Sequence, residues 1–286
     1  MIDLFELYLL QQQDLSSNTL RGYLADLRSF TAWYESWSQL PYSIDEIATP
    51  TITAWRADMQ TDERAPATIN RRLVSVKRYF AWAVEAGHLQ RDPAHVVKQV
   101  DKVPTPPREL SDHEESALMA AVERYGTQRD QVMITTLLMT GLRASELLAL
   151  RQSDVEIKPR SGSVLVRAGK GNKQRRVPLN ITARKALQEY MNDVGKWEYV
   201  FPGRADGKPL ELRTLGYMVE KYGDLARIAH VSPHDLRHRF GYRMAKTTPL
   251  HVLADLMGHS DINTTRIYVK PTQADLQQAV EAIRWE

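Results

Sequence analysis

The spacing of hydrophobic positions changes character partway along the chain and divides it into two regions. In the first, residues 18–36 place Leu20, Tyr23, Leu24, Leu27, Phe30, Trp33 and Tyr34 at three- and four-residue intervals, the spacing of one helix face. Ser17 or Asn18 stands where an N-cap is needed. Residues 67–86 repeat the pattern with Ile69, Leu73, Val76, Phe80 and Val84, and Gly87 supplies a stop signal. The second region mixes periods. Ser111-Asp112-His113-Glu114 reads as a capping box opening a helix, and the apolar run 128–140 predicts another, closed by Gly141 in a left-handed cap. Val164, Val166, Val177 and Leu179 then alternate around Gly169-Lys170-Gly171-Asn172-Lys173, which predicts a β-hairpin with a basic tip. Helical spacing returns at 182–194 and 213–229, while Ser232-Pro233 and Thr248-Pro249 each read as a cap followed by a first-turn proline. Thr272-Gln273-Ala274-Asp275 opens a last amphipathic helix, 272–284, carrying Leu276, Val280 and Ile283.

The fold class expected from this order is mainly α with a small β-sheet. An all-helical domain spans 1–103, a linker 104–108, and an α+β domain 109–286. The boundary rests on Pro104-Thr105-Pro106-Pro107, a stretch that favours extended backbone and cannot continue a helix.

Composition narrows the function classes. The 286 residues suffice for two separate cores. No apolar run reaches the roughly 18–20 residues of a membrane span, and the N-terminus lacks the basic segment of a signal peptide, so no membrane partner is expected. The absence of cysteine excludes disulfide scaffolds, thiol nucleophiles and thiolate metal sites, and a cytoplasmic location is expected. Net charge is only +3, which permits nucleic-acid binding without arguing for it. Its distribution is more telling. Residues 1–103 carry 11 Lys/Arg against 13 Asp/Glu, whereas 104–286 carry 27 against 22. In the acidic half, Arg71, Arg72, Lys77 and Arg78 gather off the apolar face of helix 67–86, as a solvated face or as contacts to a polyanion.

Candidate chemistry falls in four clusters of the second region. Arg143 follows a helix-ending glycine with Glu146 three positions on. A guanidinium fork oriented by a carboxylate suits phosphate, and the same pair also suits a structural ion pair. The hairpin tip offers Lys170 and Lys173, followed by Arg175 and Arg176, either as an exposed turn or as cations reaching a phosphate. In His234-Asp235-Leu236-Arg237-His238-Arg239, His234 and Arg237 share a helix face. His230, His234 and His238 have ligand-like spacing, but Pro233 interrupts the helix and no HExxH pattern occurs, so no metal is expected. The fourth cluster places His259 just after Gly258, with Tyr268 nine positions later.

Taken in order, the strings TGLRASEL, GKGNKQRRVPL, HDLRH, LMGHSD and TTRIY closely resemble the tyrosine recombinase (phage integrase) family. SSNTLRGYLADLRSF and APATINRRLVSVKRYF resemble that family's core-binding domain, so the resemblance spans nearly the whole chain. It implies a site-specific recombinase that cleaves and rejoins DNA through a 3′-phosphotyrosyl intermediate and a Holliday junction. Tyr268 would be the nucleophile, Arg143 and Arg237 would grip the phosphate, and Lys170 would protonate the leaving oxygen. His234 would assist proton removal, His259 would bond a phosphate oxygen, and Glu146 would support the site. No cofactor is implied. Double-stranded DNA would be held between the two domains, with Arg71, Arg72, Lys77, Arg78, Lys173, Arg175 and Arg176 as contacts. A homotetramer on two sites, or a heterotetramer with a paralogue, would exchange helix 272–284 between neighbours. The layout is most like two-domain Xer-type recombinases or transposon-encoded tyrosine resolvases, with no additional arm-binding domain expected. Two alternatives stand beside this: a type IB topoisomerase-like nicking-closing enzyme, and a DNA-binding accessory protein with vestigial catalytic residues.

Overall fold

The computed structural model describes residues 1–12, 15, 17–101, 107–167, 174–203, 207–259, 261–269, 277, 280 and 281. The chain divides into two compact units, Met1–Thr105 and Pro106–Glu286. Among the described residues no helix is long and apolar enough to cross a membrane.

Among the described residues of the first unit, four α-helices turn their apolar stripes to one core. Phe5 and Leu9 lie one turn apart on α1 (Ile2–Gln11), and Leu27, Phe30 and Tyr34 lie on α2 (Ser17–Ser38). Ile52, Trp55 and Met59 come from α3 (Thr49–Thr61), and Ile69, Leu73, Val76 and Phe80 from α4 (Pro66–Glu85). Edge-to-face aromatic pairs lock the centre, with Phe30 and Trp55 4.9 Å apart between ring centroids. Buried Asp26, Ser75 and Asn70 have partners. Asp26 accepts from Ser75 Oγ at 2.7 Å and from Arg71. Asn70 exchanges two 2.8 Å bonds with the backbone of Val100, tying the segment after α4 to that helix.

Helical geometry splits the basic face expected on α4. At about 100° per residue, Arg71 and Arg78 point the same way, and Arg72 and Lys77 fall to either side. Arg71 pairs with Asp26 and Arg78 lies 5.2 Å from the Tyr23 ring centroid, both towards α2. Arg72 Nη1 instead meets Met59 Sδ on α3 at 3.8 Å, and Lys77 donates to His95 O at 3.2 Å. The four residues therefore leave the helix in three directions.

The second unit surrounds a small sheet with helices. The Ser111 capping box forms as expected at the start of α5 (Asp112–Tyr125), with Glu114 N bonded to Ser111 Oγ at 3.2 Å and Ser111 N to Glu114 Oε2 at 2.8 Å. Next come α6 (Gln128–Thr140), α7 (Ala144–Leu148) and the strands β1 (Val155–Ile157), β2 (Gly162–Val166) and β3 (Arg175–Pro178). The strands pair antiparallel in the order β1-β2-β3, with Val164 opposite Val177. The expected hairpin is β2–β3; β1, at three residues, is too short to show a period in sequence. The tip carrying Lys170 and Lys173 lies outside the described residues.

Among the described residues the helices α8 (Ile181–Asp193), α9 (Leu212–Leu225), α10 (Pro233–Ala245), α11 (Leu250–Met257) and α12 (Asn263–Arg266) follow. The α9 helix stops at Leu225 rather than 229. Arg227 turns left-handed at φ 58°, Ile228 N bonds Gly223 O at 2.8 Å, and Arg227 N bonds Asp224 O at 2.9 Å, a Schellman closure. The main core is built around α6, which packs against α8 and α10. A separate small cluster joins Phe240, Leu253, Met257 and Tyr268. The helix expected over 272–284 lies outside the described residues except at 277, 280 and 281, which are helical.

Candidate active site

The end of α6 begins the site. Gly141 closes that helix at φ 62°, a left-handed conformation, and a Cβ there would stand 2.2 Å from the Phe240 ring. Glycine is thus required for both backbone and packing. The turn delivers Arg143 to the N-cap of α7, one helical turn before Glu146. Glu146 Oε2 accepts from Arg143 N, and Oε1 accepts from Arg143 Nη1, each at 2.8 Å. Arg143 Nη2 crosses to Gly258 O at 2.8 Å. The carboxylate is nearly buried, which acts to raise its pKa, but hydrogen bonds and charge from Arg175 and Arg143 outweigh burial and hold it below the usual carboxylate range.

Arg237, on α10, is 2% exposed. Its Nη1 donates to Gly141 O at 2.6 Å, and its Nη2 donates to Met257 O at 2.7 Å and meets His259 Nε2 at 2.9 Å. A guanidinium has no acceptor, so His259 Nε2 must accept, which places the imidazole proton on Nδ1, 2.7 Å from Thr265 Oγ1. Burial and the charges of Arg237, Arg143 and Arg175 push His259 down to about 4, in accord with that neutral form. Burial and then Arg143 lower Arg237 to about 10, leaving it charged at neutral pH.

Tyr268 follows α12 and is 7% exposed. Its hydroxyl lies 2.9 Å from His238 Nδ1. The ring runs parallel to His259 at 6.5 Å and meets Tyr242 edge-on at 5.2 Å. It also closes on Gly241, where a Cβ would stand 2.7 Å from Tyr268 Cζ. Burial pushes the phenol up to about 12, against the opposing pull of Arg237 and Arg143. His238 is driven down to about 4, by burial and then by His234, whose ring centroid is 4.2 Å away. His234 itself is lowered by partial desolvation and then by Arg237. Both imidazoles are therefore neutral near pH 7 and able to accept a proton.

The structure thus brings Arg143, Glu146, Arg237, His259 and Tyr268 together, with His234 on the same helix as Arg237. It changes the reading of Arg175. Expected as a DNA contact, Arg175 instead grips Glu146 with both terminal nitrogens, at 2.8 and 2.7 Å, and its side chain is 13% exposed. Strand alternation carried the signal, since Arg175 lies two positions from buried Val177 and on its face. Arg176 points the other way, exposed, with Glu156 Oε2 3.4 Å distant. Sequence reasoning also missed His238 as the partner of Tyr268. Arg239, next to it, turns to α5, where it binds Glu115 at 2.5 Å and Asp112. Among the described residues no group of three or more His, Cys, Asp or Glu side chains could hold a metal ion.

Comparison with known proteins identifies the family. The phage integrase family model matches residues 108–275, and the phage integrase N-terminal SAM-like domain matches 2–87. Tyrosine recombinase XerD of Ralstonia nicotianae is 32% identical over 268 residues, covering 90% of this chain and 85% of the relative. Tyrosine recombinase XerC of Xanthomonas axonopodis pv. citri is 31% identical over 294 residues, covering 96% and 92%. Among solved structures, the Tn1549 transposon integrase in complex with transposon right end DNA superposes with a TM-score of 0.76 at 21% identity, covering 98% of each chain. XerH recombinase bound to its difH substrate gives a TM-score of 0.75 at 20% identity, covering 92% of this chain and 79% of that one. These two likenesses show the shared two-domain fold. On the family match and on relatives above 30% identity, the chain belongs to the phage integrase family of tyrosine recombinases.

Proposed function

We propose that this chain recombines DNA at specific sites, with Tyr268 attacking a phosphodiester to leave a 3′-phosphotyrosyl link and a free 5′-hydroxyl. One observation carries the reading: Arg143, Arg237, His259 and Tyr268, set on separate elements, meet at the end of α11. Two guanidiniums there suit the charge that gathers on non-bridging oxygens in a pentacoordinate transition state. As the Tyr268–phosphorus bond forms, the phenolic proton passes to neutral His234. The phosphorus–O5′ bond breaks, and the leaving oxygen takes a proton from Lys170. The covalent link conserves the bond for resealing by a 5′-hydroxyl. Since the phenol lies against His238, it must turn from that bond towards the phosphate before attack. To donate to a phosphate oxygen, His259 would give up its Arg237 contact and carry its proton on Nε2 instead of Nδ1.

Double-stranded DNA is the partner on this reading; the Tn1549 integrase structure holds transposon right end DNA, and the XerH structure its difH substrate. Residues 1–103 form the core-binding domain and 109–286 the catalytic domain. Among the described candidates, the exposure of Arg71 and Arg176 and the partial exposure of Arg78 support their role as phosphate contacts. Four copies act on two duplexes through a Holliday junction, with 272–284 docking on a neighbour; the 64% exposure of Val280 favours this. A duplex nicked beside the cleavage site tests the chemistry. The wild type should form a covalent adduct that Tyr268→Phe cannot. No wild-type adduct would support the vestigial binder, and an adduct with supercoil relaxation but no two-site product would support the nicking-closing enzyme.

A further inference from the structure

Three arginines of the second unit share one carboxylate and one helix end. Arg143, Arg175 and Arg237 approach the Glu146 oxygens at 2.8, 2.7 and 4.0 Å. The same three also take successive carbonyls where α11 closes. Arg175 Nε donates to Leu256 O at 3.1 Å, Arg237 Nη2 to Met257 O at 2.7 Å, and Arg143 Nη2 to Gly258 O at 2.8 Å. These are carbonyls that a helix end leaves without partners of its own, at the negative end of its dipole. Two of the arginines have a place in the chemistry. The third does not.

Arg175 is built for a different task. Each of its three side-chain nitrogens donates to a protein acceptor, two to Glu146 and one to Leu256. Gly258 makes room for it, since a Cβ there would stand 2.7 Å from Arg175 Nη1. It is also the first residue of β3, the strand that returns from the tip bearing Lys170. We infer that Arg175 is a positioning residue for strand cleavage: it fixes Glu146 and the end of α11, and through them the guanidiniums of Arg143 and Arg237, while anchoring the hairpin strand. The inference rests on the recombinase reading above.

A lysine discriminates this role from a phosphate contact. It keeps the charge and the aliphatic stem, but a single ammonium cannot span both carboxylate oxygens and the Leu256 carbonyl as the planar fork does. The experiment uses the full chain and the nicked duplex. DNA dissociation constants across a salt series and adduct rates at saturating DNA are compared for wild type, Arg175→Lys and Arg175→Ala, with folding checked by circular dichroism. Arg175→Lys should bind DNA within about twofold of wild type, yet cleave roughly 10- to 100-fold more slowly, the usual cost of misplaced catalytic groups. Cleavage by Arg175→Lys at the wild-type rate would overturn the inference. So would weakened binding with a shallower salt dependence and an unchanged rate at saturation, the mark of a phosphate contact. If Arg175→Ala fails to fold, Arg175→Lys decides; failure of both would assign Arg175 to stability alone and equally overturn it. A wild type that forms no adduct would instead remove the recombinase reading itself.

Discussion

The imidazoles around Tyr268 are useful because they are uncharged, and that has a consequence for stability. His238 and His259 sit near 4 in the folded protein against an ordinary 6.5, each driven first by burial. Between those values the unfolded chain binds protons that the native state refuses, so stability is full above pH 6.5 and is lost as the pH falls towards 4. The unfolding free energy from urea titrations should drop across that window, by at most about 1.4 kcal/mol per pH unit for each histidine. In His238→Asn the slope should be shallower. An unchanged slope would mean that His238 does not titrate as its surroundings dictate. At this scale the sequence was a good guide to which residue types matter and a poor one to their partners. The HDLRH string displays His238, but only the folded chain sets its Nδ1 2.9 Å from the Tyr268 hydroxyl.

Elements were legible where a period repeats and illegible where it does not. The stripes of α2 and α4 could be read because several turns of helix repeat the same face, and α6 by its apolar run and closing glycine, whereas the three residues of β1 offer no repeat. The stop of α9 depends on Arg227 adopting φ 58°, which composition does not announce in a residue other than glycine. Attachment between elements is likewise hidden. Arg239, 4% exposed in its side chain, ties α10 to α5 through Glu115 and Asp112, and Arg243 adds a 2.6 Å bond to Glu115. Removing one member of a fully buried pair costs about 3–5 kcal/mol. Asp112 is exposed and Glu115 would keep Arg243, so Arg239→Ala should destabilise the protein by about 2 kcal/mol, within the ordinary range for a single substitution. Urea unfolding of the variant gives the number, and a change below about 0.5 kcal/mol, the level of an unconstrained surface site, would show that the cluster does not secure α10.

At the scale of the molecule, the two units own separate cores. The apolar cluster of the first runs from Phe5 to Val97, and those of the second from Leu110 to Tyr268, with no residue in common. A unit with its own core should fold alone, so fragments 1–105 and 106–286 should each show a cooperative urea transition by circular dichroism. A fragment that melts without cooperativity would show that its core depends on the other. The net charge of +3 likewise conceals a division: some basic residues serve inside the fold, among them Arg175 and Arg239, and are spent on protein carboxylates.

By itself, the sequence determined the two-part organisation, the helical faces and the set of residues able to handle a phosphate, because periodicity and side-chain chemistry are local properties. Tertiary structure decided which of those residues meet and which basic side chains are spent on protein acceptors. Arg143 and Gly258 are 115 positions apart, and Arg237 and Gly141 are 96 apart. A helical period states which way a side chain points, but not what stands opposite when the chain returns.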